Sequence, residues 1–538
     1  MRVQLMYPDK EWKNTGSYFG WDMIEKDLGL SALYSSAEKG YNASHRRGNT
    51  PRESLGLSQI MRRAMQVPVE NKEQLLYRQE IMKDCFAYEG FAEELFSFAS
   101  GMISDWDKIG RRKKSNSGDN SSKAGLITDI EQMSLFVSGL GELKKLFSDN
   151  MYRLKSRGFL ELNDRIQTEF STELQKKLEE LLSDLEFYVN GSVEMVNKNV
   201  FVSNISRISI DCGIEDGLKF GDIKLETIET RQHFFRSHNG LISRMKAISA
   251  ILTPGMLSTY NYPELEEDAE ALVTSAVRYV VSSYSKLMHE YGEFFEQLYF
   301  QVGFYIGAIG IRRNMKRRGM ECCFPEIGLK NSLVYSELKE PVMSIEQDID
   351  PVGNTGDLSE KGLVVITGAN QGGKSTFLRS LGIAQVMMQC GLPVSAMKYE
   401  SRLYPHFYTH FSRREDSQMN SGRLDEELRR ISRIIDNIGE DSLILFNESF
   451  ASTTEAEGSK IMYDIAKALS EAGVRVISVT HLMSFAQKVW DETEGGALEN
   501  VVFMSAERLE NGTRTYRIIP HKPELSSFGL ELYDEILG

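Results

Sequence analysis

The chain has 538 residues, of which 41% are hydrophobic and 26% charged, and its net charge is −14. At roughly 100–200 residues per domain this length calls for three or four units and excludes a single ordinary core. The composition excludes a collagenous or mucin-like chain, and the acidic balance excludes a surface that is basic all over, so nucleic-acid contact would have to use a local stripe.

Five cysteines occur, Cys85, Cys212, Cys322, Cys323 and Cys390, with no C-x-x-C pair. That pattern supports neither a zinc site nor a disulfide framework and fits reduced thiols in a cytoplasmic protein. The N-terminus has no apolar leader, and no run approaches the roughly 18 apolar residues of a spanning helix, so no membrane association is expected.

Residues 1–110 read as an N-terminal helical core. Helices are expected from Ser54 through Met65 and from Asn71 through Met82, the second with Leu75, Leu76, Ile81 and Met82 on one broad face. Residues 111–126 open on Arg111 to Lys123, which is polar and Gly/Ser-rich and reads as a flexible linker.

Residues 127–330 read as a region of long helices. Leu174, Leu178, Leu181, Leu182 and Leu185 keep helical spacing, as do Leu272, Val273, Ala276, Val277 and Val280. No proline falls between Pro263 and Pro325, and the glycines at 292, 303, 307 and 310 predict a break or kink in an otherwise long strut. Near residues 200–226 the period changes to two. Ile208, Ile210 and Cys212 alternate with polar residues, Glu215-Asp-Gly turns the chain, and Leu218 to Leu225 returns as a small β insert.

Residues 331–538 change character again. Short apolar runs alternate with amphipathic helices: Leu363–Thr367, Leu443–Phe446 and Val474–Thr480. This is the pattern of an α/β fold with a doubly wound parallel sheet. Val501–Met504 and Thr515–Ile519 read as an antiparallel addition.

Gly368-Ala369-Asn370-Gln371-Gly372-Gly373-Lys374-Ser375 fits G-x-x-x-x-G-K-[ST], placed between a buried strand and a helix, with Thr376 next. Glycines there let backbone N–H groups close around phosphates at a helix N-terminus. Lys374 would reach the β- and γ-phosphates of ATP, and Ser375 would place its hydroxyl on Mg²⁺. The run Leu443-Ile-Leu-Phe ends in Asn447-Glu448. In that position the first residue supports the metal and the second acts as general base on water, so Glu448 is the candidate base. Asn447 brings no charge, and weaker metal binding is expected. Thr480-His481 ends the next strand, where His481 could contact the γ-phosphate or orient the water.

From about Gly362 onward these residues resemble the MutS family of DNA mismatch repair ATPases. Thr367 to Thr376 is similar to the family's T-G-P-N-M-G-G-K-S-T, with Ala369 and Gln371 in place of Pro and Met. Met388 to Ala396 resembles A-Q-I-G-x-F-V-P-A, and Glu415-Asp416 with Gly422 to Glu427 resembles D-D-x-x-x-G-R-S-T-F-x-x-E-M in part. Glu448 to Gly458 has the length of E-I-G-R-G-T-S-T-x-D-G, with Phe450, Ala451 and Ser452 replacing two glycines and an arginine. Thr480-His481 matches T-H, and Ser526 to Gly529 is similar to S-Y-G. Upstream, Leu76 to Met82 is similar to the R-Q-x-x-V segment of the family's helical core.

The resemblance implies an ABC-like P-loop ATPase domain preceded by a helical core and lever region. It implies a homodimer through the ATPase faces, in which Ser452, Thr453 and Thr454 form the loop that reaches the facing subunit's ATP. It also implies DNA as a partner, and repair proteins with it. The family's mismatch reader carries F-x-E in an N-terminal domain. Phe91-Ala-Glu93 and Phe294-Phe-Glu296 have that pattern but lie in helical stretches and read as core. The usual route of mismatch reading is therefore not expected.

The basic clusters are Arg46-Arg47, Arg111 to Lys114, and Arg312-Arg313 with Lys316-Arg317-Arg318. Counterion release makes such clusters useful on DNA. The insert is not basic, because Asp211, Glu215, Asp216 and Asp222 outnumber Arg207, Lys219 and Lys224. Two other readings stand beside a DNA-clamping ATPase: an ATP-driven switch on a protein or ribonucleoprotein partner, and a nucleotide-binding scaffold with weak hydrolysis.

Overall fold

A computed structural model describes residues 2–9, 18–42, 55–115, 123–190, 192–196, 199–215, 219–235, 292–329, 331–412, 422–509 and 512–523. The stripe Leu272 to Val280, Arg46-Arg47, Glu415-Asp416 and Ser526 to Gly529 lie outside these residues.

A six-stranded sheet organises the C-terminal third. Its order is Arg514–Pro520, Val501–Arg508, Leu363–Thr367, Arg475–Val479, Leu443–Asn447, Phe407–Phe411. Three strands, Leu363–Thr367, Phe407–Phe411 and Arg475–Val479, are buried at every residue. Continuous apolar runs are what a sheet covered on both faces requires. Alternate side chains feed two cores. Val364, Ile366, Leu445 and Ile477 face the helix Lys374–Gln389 and the N-terminal helices, whereas Leu363, Val365, Ile444 and Val476 face Arg423–Ile435, Glu455–Glu471 and Met483–Glu494.

One expectation is corrected here. Val501–Arg508 is not part of an antiparallel addition but pairs parallel with Leu363–Thr367, and Arg514–Pro520 alone is antiparallel. The helix Met483–Glu494 is the crossover that returns the chain in the same direction, while the short connection from Leu509 to Thr513 forces the last strand to reverse. A second, four-stranded sheet was not foreseen. Its order is Glu326–Ile327, Lys398–Ser401, Leu333–Leu338, Asn354–Asp357.

Helices Trp21–Leu28, Leu30–Asn42, Leu57–Met65, Lys72–Ala87, Glu89–Ser115, Lys123–Asn150, Arg157–Glu169 and Thr172–Asn190 build the N-terminal part, joined by a helix across 292–317. Asn71 caps Lys72–Ala87 by accepting a bond from the Gln74 N–H at 3.0 Å. Leu75, Ile81 and Met82 are buried as expected, but Leu76 and Leu174 are exposed. Arg111 to Ser115, expected to lie in a linker, completes a helix, and the next begins at Lys123. Arg and Lys are good helix formers and suit the last turn of a helix, where the dipole is negative.

The glycines at 303, 307 and 310 do not break the helix across 292–317. They let another helix come close. A Cβ on Gly310 would lie 2.1 Å from the Ala37 carbonyl oxygen, and one on Gly40 would lie 2.2 Å from that of Gly310. Phe91 and Phe294 are buried on helices, as expected. The β insert pairs Asn199–Glu215 antiparallel with Lys219–Phe235, with Ile210 opposite Leu225 and Cys212 opposite Ile223, and Ser192–Val196 on its edge. It therefore runs past residue 226 to Phe235. No helix of the described residues is long and apolar enough to cross a membrane.

Candidate nucleotide site

Leu363–Thr367 runs into a tight loop because three residues take positive φ: Gly368 at 107°, Gln371 at 59° and Gly373 at 91°. Glycine alone suits the crowding at Gly368, where a Cβ would lie 2.6 Å from Ser505 Oγ. The loop closes directly on the N-terminus of Lys374–Gln389, so its free N–H groups and the helix dipole converge. The Lys374 ammonium is buried and donates to the carbonyls of Gly368 at 2.7 Å and Ala369 at 2.8 Å. It thus lies over its own loop, where a phosphate would take over those bonds. Ser375 Oγ donates to Asn447 Oδ1 at 2.9 Å. The strand end expected to support a metal therefore touches the phosphate loop.

Parallel register puts Asn447 level with Val479, and the Glu448 N–H donates to the Val479 carbonyl at 2.9 Å. Glu448 adopts φ 53°, a left-handed conformation unusual for a residue with a side chain. His481 Nε2 lies 3.0 Å from Glu448 Oε1, so the tautomer with the proton on Nε2 donates to the carboxylate. That bond, with the charge of Lys374 adding to it, outweighs partial burial and holds Glu448 below the usual carboxylate range.

One cavity of about 520 Å³ joins these groups. Asn370, Gly372, Lys374, Ser375, Thr376 and Glu448 line its polar end. Leu338, Met343, Ile349, Val352, Phe377 and Tyr516 make the rest of its wall. A polar end beside an apolar wall is the division a nucleotide needs, and the volume suits one. Sequence reasoning missed the apolar wall. Its signal was the Pro341 and Pro351 segment just before the phosphate-loop strand, together with an aromatic residue on the last strand. Arg514 donates to Oε1 of the lining residue Gln371 at 3.2 Å.

The loop after Glu448 is tied down within its own chain. The Phe450 N–H donates to Glu427 Oε2 at 2.9 Å, and Ser452 Oγ donates to the same oxygen at 3.1 Å. Burial pushes the Glu427 carboxyl upward. Phe450 holds φ 61° with its ring stacked on His410, centroids 5.4 Å apart. Thr454 caps Glu455–Glu471, and Thr453 Oγ1 donates to Glu457. Among the described residues lining the cavity, none of Ser452, Thr453 and Thr454 appears.

The basic cluster at 312–318 is largely consumed by packing. Arg313 pairs with Glu89 and Glu93, Arg312 lies 4.4 Å over the Phe86 ring, and Arg318 donates to the Ser344 carbonyl, leaving Lys316 and Arg317 exposed. Cys85, Cys322, Cys323 and Cys390 are free thiols.

Residues 364–535 match the MutS domain V family, and residues 70–198 match the MutS2 N-terminal domain family. Endonuclease MutS2 of Enterococcus faecalis is 25% identical over 228 residues, 42% of this chain and 28% of that protein. DNA mismatch repair protein MutS of Leptospira interrogans is 27% identical over 194 residues, 35% of this chain and 22% of its own length. MutS protein homolog 4 of Mus musculus is 31% identical over 154 residues, 28% of this chain and 16% of its own. The matched part of the chain thus spans less than a third of each of these relatives.

Proposed function

This chain belongs to the MutS family and carries its ATPase domain, and from that premise we propose that ATP binding and hydrolysis at the loop Gly368 to Ser375 drive the long helices to grip and release DNA. The single observation that supports this reading is the meeting of Lys374, Ser375 and Glu448 in one cavity, the first two on a helix whose far end is packed into the N-terminal helical core.

Backbone N–H groups of the loop bind the phosphates, and Lys374 leaves its loop carbonyls to neutralise the β- and γ-oxygens. Val352 and Tyr516 hold the base from the apolar wall. Ser375 and Asn447 are the residues that would hold magnesium, which would supply charge neutralisation to the phosphates when bound. Glu448, charged at neutral pH, accepts the proton of the attacking water. His481 fixes the orientation of that carboxylate. The chain works as a homodimer through its ATPase faces, with Ser452 to Thr454 presented to the facing subunit's nucleotide. Role in repair or recombination follows from the same reading, without the usual mismatch reader.

A second reading, a switch acting on a protein or ribonucleoprotein partner, is favoured by the net charge of −14 and by the pairing of Arg313 with carboxylates. ATP turnover and binding across a panel of linear, mismatched and branched DNA, at several salt concentrations, separates the two. DNA clamping requires binding that weakens steeply with salt and turnover that responds to DNA. Absence of both across the panel leaves the second reading.

A further inference from the structure

Arg78 is a fully buried cation far along the fold from the phosphate loop. Its Nε donates to the Met6 carbonyl at 2.9 Å, and one terminal nitrogen donates to the Cys390 carbonyl at 3.2 Å. Its guanidinium lies 4.6 Å from the centre of the Tyr7 ring and 5.9 Å from that of Phe304. The other terminal nitrogen is buried with no hydrogen-bond partner, and no carboxylate of the described residues pairs with Arg78. A charge in that position needs a counter-charge, because burying it unpaired is costly.

The counter-charge is the end of a helix. Cys390 is the C-cap of Lys374–Gln389, where the helix dipole presents about half a negative charge. The N-terminus of the same 16-residue helix closes the phosphate loop, about 24 Å away at 1.5 Å per residue. Phosphate and Arg78 therefore act on opposite ends of one rigid rod. The seat is tight, since a Cβ on Gly391 would lie 2.9 Å from Arg78 Cβ.

Arg78 also grips a strap that is bound to the long helix. Gln301 on the helix across 292–317 accepts from the N–H groups of Leu5 at 2.7 Å and Met6 at 3.2 Å, and donates to the Val3 carbonyl at 3.1 Å. Tyr305, one turn further on, donates to the Leu5 carbonyl. Each link is a hydrogen bond between buried groups, so none can be exchanged for water without cost.

We propose that Arg78 is the joint that passes nucleotide occupancy from the phosphate-loop helix to the helix across 292–317, by way of the strap Val3 to Tyr7. This rests on the reading that nucleotide state moves the long helices. When the phosphate loop tightens and the rod shifts, the Cys390 carbonyl moves. Arg78 follows it, and the strap carries the displacement to Gln301 and Tyr305. Arg78 is a positioning residue that touches neither nucleotide nor water.

Hydrogen exchange of the whole chain, with and without magnesium and a non-hydrolysable ATP analogue, tests this. In the wild type, exchange changes both at residues 368–376 and along 292–317. In Arg78→Met the change at 368–376 and the affinity for the analogue persist, and the change along 292–317 is lost. Gln301→Leu, which leaves the buried cation in place, gives the same loss and carries the test if Arg78→Met does not fold. A full response along 292–317 in either variant overturns the joint and leaves the lever reading standing. No response there in the wild type overturns the lever reading and the joint with it.

Discussion

His481 Nε2 and Glu448 Oε1 meet at 3.0 Å across the ends of two neighbouring parallel strands, Arg475–Val479 and Leu443–Asn447. The bond does two things. It fixes the direction of the carboxylate, and it keeps that carboxylate charged to lower pH than usual.

Glu448→Ala is expected to bind ATP as the wild type does while turnover falls by about 10²–10⁴. Steady-state turnover and calorimetric titration check the two halves separately. Loss of ATP binding in this variant would contradict the assigned role.

The pH dependence carries a definite sign. A carboxylate with a depressed folded pKa contributes stability that is full above its unfolded value and is lost as pH falls through the folded one. The acid limb set by Glu448 should therefore lie below the ordinary carboxylate value of about 4.3. In His481→Ala the lowering bond is gone and partial burial remains, so the limb moves upward. A pH–rate profile of the two proteins reads the shift, and coincident profiles would remove His481 from this role.

Lys374→Ala is expected to lose ATP affinity by at least about tenfold, since it deletes the ammonium proposed to leave the Gly368 and Ala369 carbonyls for the β- and γ-phosphates. Asn447→Asp acts in the opposite sense. Its new charge sits where Asn447 Oδ1 now accepts from Ser375 Oγ at 2.9 Å, so the magnesium concentration for half-maximal turnover falls by about three- to tenfold. An unchanged magnesium requirement would place the metal elsewhere. Tyr516→Ala removes an aromatic contact of about 0.5–1.5 kcal/mol and should weaken ATP by about two- to tenfold, read by calorimetric titration.

The polar end of the cavity was legible in the chain and the apolar end was not, for a physical reason. The residues from Gly368 to Ser375 and the pair Asn447-Glu448 are fixed by local chemistry: a loop must turn, a helix must start, and a charge must sit at a strand end. Val352 and Tyr516 reach the cavity only through the second sheet and the final antiparallel strand, which are long-range pairings. The direction of Val501–Arg508 was misread for the same cause, because an apolar run does not encode which way its neighbour points. Gly303, Gly307 and Gly310 read as breakers because propensity is local, whereas the close contacts that use them, Gly303 with Ile60 and Gly307 and Gly310 with Ala37, are not. Arg313 read as a basic patch until its partners Glu89 and Glu93, more than 200 positions away, came beside it.

Phe450 stands where the resembling family has glycine, and it holds φ 61° at a cost of about 1–2 kcal/mol for a residue with a Cβ. Reverting it to glycine would relieve that strain. Against this, the ring is fully buried and stacked on His410, and removing a buried phenylalanine costs about 3–5 kcal/mol. The unfolded chain also gains freedom with glycine, worth about 0.5–1 kcal/mol. The larger effect wins, so Phe450→Gly should be destabilised by about 2–4 kcal/mol, and Phe450→Ala, which keeps the strain, by more. Denaturant unfolding of the three proteins gives the order directly. The loop from Glu448 to Thr454 would remain held by Glu427 in both variants, through the N–H of residue 450 and Ser452 Oγ. A glycine variant as stable as the wild type would mean that the His410 and Phe450 rings do not set the shape of this loop, and that Glu427 alone does.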